Sequence, residues 1–320
     1  MSDSLLPRAE DVLTAAARIA PHAHVTPVLR SHALDALAGA QLAFKAEHLQ
    51  RGGAFKFRGA CNAVWSLDAG RAAAGVVTHS SGNHGAALAL AARTRGIPCH
   101  VVVPEGAVAA KLANIARHGA TLWRCPPTIA DREATCAQVQ ADTGATLVHP
   151  YADPAVMAGQ GTAALELLHS DGPFDVLVVP VGGGGLASGT ALALQHASPQ
   201  TRLMLAEPAG ADDTARSLSA GQRVTGFTPD TFCDGLRTLV GAPNLQLLQS
   251  AGAEVIVVDD DATRAAMRLL WEVLKQVVEP SSAIVLAAVL AQPARFADQR
   301  VGLVLSGGNV DLPALRWEVA

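Results

Sequence analysis

The chain of 320 residues holds a single tyrosine, Tyr151, and only four lysines, Lys45, Lys56, Lys111 and Lys275, against 20 arginines. Its five cysteines (Cys61, Cys99, Cys125, Cys136 and Cys233) are odd in number, scattered and without a CxxC pair. That argues against a disulfide framework or a thiolate zinc site and fits a reducing cytoplasm. Charged residues make up 16% of the chain, and the net charge of −4 comes with no basic block, so there is no electrostatic footprint for nucleic acid. No window approaches the roughly 18 uninterrupted apolar residues of a membrane-spanning helix. The start, Met1 to Glu10, lacks the basic region and apolar run of a signal peptide. What is left is a compact protein, 50% apolar, long enough for two domains. A cytoplasmic enzyme acting on a small molecule is the expectation.

Hydrophobic periodicity alternates between strand and helix along the chain. Strands are expected at Leu42–Lys45, Gly75–His79, Cys99–Pro104, Thr121–Arg124, Thr146–Val148, Val176–Val181, Arg202–Ala206, Glu254–Val258 and Arg300–Leu305. Helices are expected at Asp11–Ala20, around His32–Leu37, and at Ala86–Arg95, Lys111–His118 and Ile129–Thr143. Further helices run from near Gly161 to Leu168 and over Leu186–His196, Ala262–Val277 and Ser282–Ala291. The alternation implies an α/β fold of parallel sheets flanked by helices, and two runs of units suggest two sheets.

Lys56 stands out chemically. It lies between glycines in Gly52-Gly53-Ala54-Phe55-Lys56-Phe57-Arg58-Gly59, in a chain whose habitual cation is arginine. Lysine can lose its proton when desolvated and form a Schiff base, which arginine cannot. Gly182-Gly183-Gly184-Gly185 follows an apolar strand and opens a helix, the setting of a phosphate cup, although a tight strand-to-helix turn also uses glycine. Gly182-x-Gly184-x-x-Ala187, with Glu207 at the end of the next strand, also fits a relaxed dinucleotide fingerprint, the mark of a nicotinamide oxidoreductase. That rival leaves Lys56 without work. It also ignores Ser80-Ser81-Gly82-Asn83-His84-Gly85 and Ser306-Gly307-Gly308-Asn309, polar glycine loops that likewise follow apolar strands. In open α/β sheets such strand ends gather ligands, so three loops and a lysine can converge on one phosphorylated aromatic cofactor.

These motifs resemble the serine/threonine dehydratase and serine racemase family of pyridoxal-phosphate enzymes. Lys45-x-Glu47 with Gln50 and Gly53–Ala60 is similar to the family's cofactor-lysine segment, and Ser80–Gly85 to its asparagine loop. Gly182–Gly185 is similar to its phosphate loop, Ser306–Asp311 to its closing loop, and Ala158–Thr162 to a further segment. The likeness runs from about Thr26 to Asp311. It implies the type II fold, with 1–66 plus 153–320 as a large cofactor-binding domain and 67–152 as a small mobile one. It implies that Lys56 holds pyridoxal phosphate and acts as base at the substrate Cα. Phe55, Asn83, Gly182, Gly183, Gly184, Gly185 and Ser306 complete the cofactor site, Asn83 at the ring hydroxyl and Ser306 at the pyridine nitrogen. Ser80, Ser81, Asn83, His84, Arg132 and Thr238 are the substrate-side residues implied. Glu207, the Ala211 carbonyl and Asp213 match the family's Mg²⁺ or Ca²⁺ site, whose hard oxygen ligands suit such a cation. A homodimer is what the family suggests.

Departures from the pattern shape the expected activity. Ala54 replaces a common serine. Ala86 replaces a glutamine that helps bind an activating nucleotide in animal racemases, so ATP activation is not expected. Tyr151 stands where dehydratases usually carry an aromatic, whereas Ser81 matches the serine with which racemases protonate the face opposite the lysine. The chain ends at Ala320, soon after the closing loop, so feedback control by isoleucine is not expected. The resemblance thus implies deamination of L-threonine or L-serine, with serine racemase as first alternative. A 3-hydroxyaspartate dehydratase, with Arg237 on the second carboxylate, is another; a non-catalytic phosphate-binding module is a rival from a different class.

Overall fold

The computed structural model describes residues 6–311, so the first residues of the Met1–Glu10 segment and the end at Ala320 lie outside the described residues. Ten strands are present among them: β1 (Val28–Leu29), β2 (Gln41–Lys45), β3 (Val76–His79), β4 (Cys99–Pro104), β5 (Thr121–Cys125), β6 (Thr146–Leu147), β7 (Val176–Pro180), β8 (Arg202–Pro208), β9 (Glu254–Val258) and β10 (Arg300–Val304). They form a six-stranded sheet in the order β1-β2-β10-β7-β8-β9 and a four-stranded sheet in the order β5-β4-β3-β6. All pairings are parallel except β1 with β2. Every strand of the smaller sheet falls between Val76 and Leu147.

Strand alternation divides the core. In β7, Val176 and Val178 join the cluster under helices Asp260–Glu272 and Pro280–Ala291, while Leu177 and Val179 join the one under helices Pro154–Asp171 and Gly185–Ala197. Both faces of this central strand are buried, which is why it reads as a continuous apolar run. The smaller sheet is covered in the same way, on one face by helices Lys56–Ser66 and Asn83–Arg95 and on the other by Ile129–Thr143.

The helix expected from Gly161 starts earlier. It spans Pro154–Asp171, with Asp153 Oδ1 accepting Ala155 N–H (2.8 Å) and Val156 N–H (3.1 Å) and Pro154 in the first turn. Gly159 and Gly161 do not break it. They admit close neighbours: a Cβ on Gly159 would lie 2.6 Å from Gly59 Cα, and one on Gly161 2.5 Å from Gly189 O. Helices Lys56–Ser66 and Gly185–Ala197 therefore pack against this one at backbone distance. At the other end of the chain, the helix expected over Ala262–Val277 spans Asp260–Glu272.

Candidate active site

Lys56 opens its helix directly after Gly52 and Gly53, both left-handed (φ 73° and 74°). Any side chain on Gly53 would be strained by that φ and would bring its Cβ to 2.5 Å from Asn309 Oδ1. The closing loop zips onto this approach. Phe55 N–H donates to Ser306 O (3.0 Å), Gly308 N–H to Gly53 O (2.9 Å) and Asn309 Nδ2 to Gly52 O (2.8 Å). Gln160 Oε1 accepts Gly59 N–H at 3.0 Å, tying this helix to helix Pro154–Asp171.

The half-buried Lys56 donates from Nζ to Pro150 O at 3.0 Å and lies 5.1 Å from the centre of the Phe55 ring. Burial pushes its amine down to about 8, against the opposing pull of Glu279. No sequence motif pointed to Glu279. It is 4% exposed, and both its oxygens accept from Asn83 Nδ2, at 3.0 and 3.1 Å. Burial raises the Glu279 carboxyl to about 7; Asn83 and Lys111 oppose the rise and Asp234 adds to it. Asn83 Oδ1 accepts in turn from Asn309 Nδ2 at 3.0 Å, so the amide implied for the cofactor's ring hydroxyl is held at both ends.

Two histidines that no motif pointed to lie near the site, His149 close to Lys56 and His79 against His149. His149 Nδ1 accepts from the backbone N–H of Ala152 (3.0 Å) and Tyr151 (3.4 Å), which leaves the proton of the neutral ring on Nε2. Its ring meets His79 edge to face at 5.2 Å and Tyr151 at 4.5 Å. Burial, with His79 and Lys56 nearby, pushes His149 down to about 4, so it is neutral at ordinary pH. His84, expected toward the substrate, is buried, with Nε2 facing Val148 O at 3.4 Å and Nδ1 without a partner among the described residues. Burial and Lys56 hold it well below the ordinary imidazole range. Two neutral imidazoles, His84 and His149, therefore lie near the lysine without adding a cation beside it.

The substrate-side residues divide. Ser80 Oγ accepts Gly82 N–H at 3.4 Å, and Ser81 lies half-buried in the same loop, next to Asn83. Arg132, on helix Ile129–Thr143, donates from one terminal nitrogen to Pro127 O (3.3 Å), while its Nε is buried and unpartnered among the described residues. His79, already held down mainly by burial, is further lowered by the charge of Arg132. Arg237 instead turns Nε and a terminal nitrogen onto Thr231 O, and Thr238 is exposed.

The glycine run is shaped by its neighbours. A Cβ would lie 2.9 Å from Leu236 Cα on Gly182, 2.4 Å from the Tyr151 ring on Gly183, and 2.7 Å from Asn244 Cβ on Gly184. Gly184 (φ 93°) caps helix Gly185–Ala197, whose first-turn N–H groups have no partner within the helix. The dinucleotide rival fails at Glu207. That side chain is fully buried and turned onto the following helix, where its oxygens accept Thr214 N–H and Ala215 N–H, each at 2.8 Å, and not outward to where a ribose would lie. Asp213 Oδ2 accepts Val240 N–H at 2.8 Å, and Ala211 closes the short turn between the two acids. Burial raises Glu207 to about 8 and Asp213 above the usual carboxylate range. No group of three or more His, Cys, Asp or Glu side chains arranged to hold a metal occurs among the described residues, so this pair with one backbone carbonyl is the candidate donor set.

Comparison with known proteins agrees with this architecture. The family model for pyridoxal-phosphate dependent enzymes matches residues 19–307. The chain is 47% identical over 312 residues to a β-hydroxyaspartate dehydratase of Paracoccus denitrificans, covering 98% of this chain and 99% of that protein. It is 48% identical over 306 residues to a serine racemase of Arabidopsis thaliana, covering 94% and 92%. The structure of maize serine racemase superposes with a TM-score of 0.93 at 44% identity, covering 96% of this chain and 95% of that one. With a family match over most of its length, a half-buried lysine at the head of a helix and glycine loops at the strand ends of two mostly parallel sheets, the chain belongs to the pyridoxal-phosphate dependent enzymes of the type II fold.

Proposed function

We propose that the enzyme removes water from 3-hydroxyaspartate, which then yields oxaloacetate and ammonia, with pyridoxal phosphate as cofactor. The dehydratase and racemase relatives favour this reading and its racemase alternative over deamination of threonine or serine. One observation carries the choice of substrate: the buried, unpartnered Nε of Arg132, beside the His79–His149 pair that leads to Lys56. An unmatched guanidinium donor is suited to a second carboxylate. Arg237, occupied by Thr231 O, is the weaker candidate.

The residues fit the cofactor. Gly183 and Gly184 leave no room for a Cβ, so backbone N–H groups can approach a phosphate over Gly182–Gly185. Ser306 is buried, its hydroxyl 3.4 Å from Ser281 O, and would offer the pyridine nitrogen a neutral partner. Bound pyridoxal phosphate supplies the electron sink that lets a Cα proton leave. Lys56 would hold it, with Phe55 alongside, and in its neutral form would take that proton. Asn83, fixed by Glu279 and Asn309, would orient the ring edge. Ser80 and Ser81 would meet the substrate's α-carboxylate, with His84 behind them.

Replacing Arg132 with methionine tests the reading. It is expected to lower kcat/KM for 3-hydroxyaspartate about a hundredfold, the cost of truncating one partner of a desolvated charge pair, while serine turnover changes little. Equal losses on both substrates would remove Arg132 from substrate selection.

The Arabidopsis relative and Ser81, half-buried next to Asn83, favour a second activity, serine racemisation. Racemisation needs an acid/base group on each face of Cα, one to take the proton and one to return it, whereas elimination needs only the lysine. Ser81→Ala is therefore expected to abolish racemisation and spare dehydration, and parallel loss of both would reject the assignment.

Glu207, the Ala211 carbonyl and Asp213 would hold a divalent cation. Because folding raises Glu207 from 4.5 to about 8, the folded chain binds that proton more tightly, and stability falls as pH rises through this window. A cation offsets the loss. Mg²⁺ or Ca²⁺ at roughly a hundredfold excess over Kd is expected to raise Tm by about 5 °C near pH 8 and by less near pH 6. A melting curve that does not respond to either ion would remove the site.

A further inference from the structure

Lys111 lies on helix Ala109–Arg117, between β4 and β5 of the smaller sheet, and pairs with Asp234 on the short turn Asp234–Leu236 that follows β8 of the larger one. Among the described residues it is the one ion pair that joins the segment 67–152 to the rest of the chain; the others stay on the larger-sheet side. The turn it reaches is part of the site's wall. Leu236 Cα fills the space beside Gly182, and Gly235 N–H donates to Ser281 Oγ at 2.9 Å, next to the hydroxyl of Ser306. The pair also lies close enough to Glu279 for both charges to act on it, and Glu279 is the carboxylate that holds Asn83. Asn83 begins the helix packed against Lys111's own helix, so the cation and the asparagine belong to the same side of the mouth.

We propose that Lys111 is a positioning residue: its ion pair with Asp234 straps the smaller-sheet segment onto the turn that packs against the glycine run, and so holds Ser80–Asn83 over Lys56. The strap is made for release. Its side chains are 35% and 41% exposed, so it exchanges readily with water and salt, unlike the fully buried Arg58–Glu47 pair. Lys111 neutralises Asp234 in the closed arrangement, where an unpaired Asp234 would face the Glu279 carboxylate. Losing the pair therefore weakens closure without touching any group that contacts the reacting atoms.

The proposal rests on the two sheet segments moving relative to one another and is independent of which β-hydroxy amino acid is the substrate. The test is a double-mutant cycle on the holoenzyme with Lys111→Met, Asp234→Asn and the pair together. KM is measured on the best substrate, and deuterium uptake is followed at residues 80–82 and 232–238. Each single variant is expected to raise KM about threefold to fivefold, the range of an exposed pair, with kcat nearly unchanged and faster uptake in both segments. The double variant is expected to be no worse than either single, and added salt to bring wild-type KM toward that of the variants. Multiplying effects in the double variant would overturn the strap. So would single variants that melt lower yet keep wild-type KM and uptake, because they would make the pair merely structural.

Discussion

Lys56→Ala is expected to lower turnover by about 10³- to 10⁴-fold, the scale of a lost general base, and to erase an absorbance band near about 410–420 nm from the lysine-linked cofactor. The size of the effect follows from how the lysine is prepared. Burial brings its amine to about 8, so roughly a tenth is neutral at pH 7, a far larger share than a solvated lysine offers. Glu279 opposes that shift and the neutral rings of His84 and His149 avoid reinforcing it, so the amine stays close to working pH instead of being driven far below it. Lys56→Arg is expected to fail equally, since a guanidinium keeps a charge but cannot give up its proton. A Lys56→Ala protein that stays yellow and retains more than about 1% of turnover would remove the lysine from its assigned role.

The largest expected effect on stability comes two residues later. Arg58 is fully buried and doubly bidentate. Its Nε and one terminal nitrogen reach Glu47 at 2.7 and 2.8 Å, and both terminal nitrogens reach Glu166 at 2.7 and 2.8 Å. Lys45 Nζ joins Glu166 at 2.7 Å and Thr26 O at 2.7 Å. One guanidinium thereby ties the short turn Glu47–Leu49 after β2, the helix that begins with Lys56 and the helix Pro154–Asp171. Arg58→Met would leave Glu47, itself fully buried, without its countercharge. The expected cost is about 3–5 kcal/mol, or a fall in Tm of about 5–8 °C. Adding Glu47→Gln is expected to recover part of the loss, because the stranded charge and not the missing contact is the main penalty. A fall of less than about 3 °C would mean that Glu47 finds water or a proton instead.

How much of this was readable in the sequence depended on whether the signal was local. Lys56 and the three glycine loops are written in contiguous residues at strand ends, and the structure brings them together as the parallel topology requires. Glu279 carries no such signature. It becomes part of the site only because helix Pro280–Ala291 starts beside the closing loop, where Glu279 N–H donates to Gly307 O at 3.0 Å. His79 and His149 converge for the same reason, from the end of β3 and the segment after β6. The helix expected from near Gly161 begins at Pro154 instead, because Gly159 and Gly161 lie inside it and serve helix packing. His84 shows the opposite limit: it sits in the right loop, yet its ring turns inward to Val148 O.

The most direct test of the proposed activity is ammonia release by the wild-type holoenzyme from 3-hydroxyaspartate, L-serine, D-serine and L-threonine under one set of conditions. A site with an unmatched guanidinium donor discriminates strongly against substrates that leave it unpaired, so kcat/KM for 3-hydroxyaspartate is expected to exceed the others by about a hundredfold or more. Serine or threonine consumed as efficiently as 3-hydroxyaspartate would contradict the account.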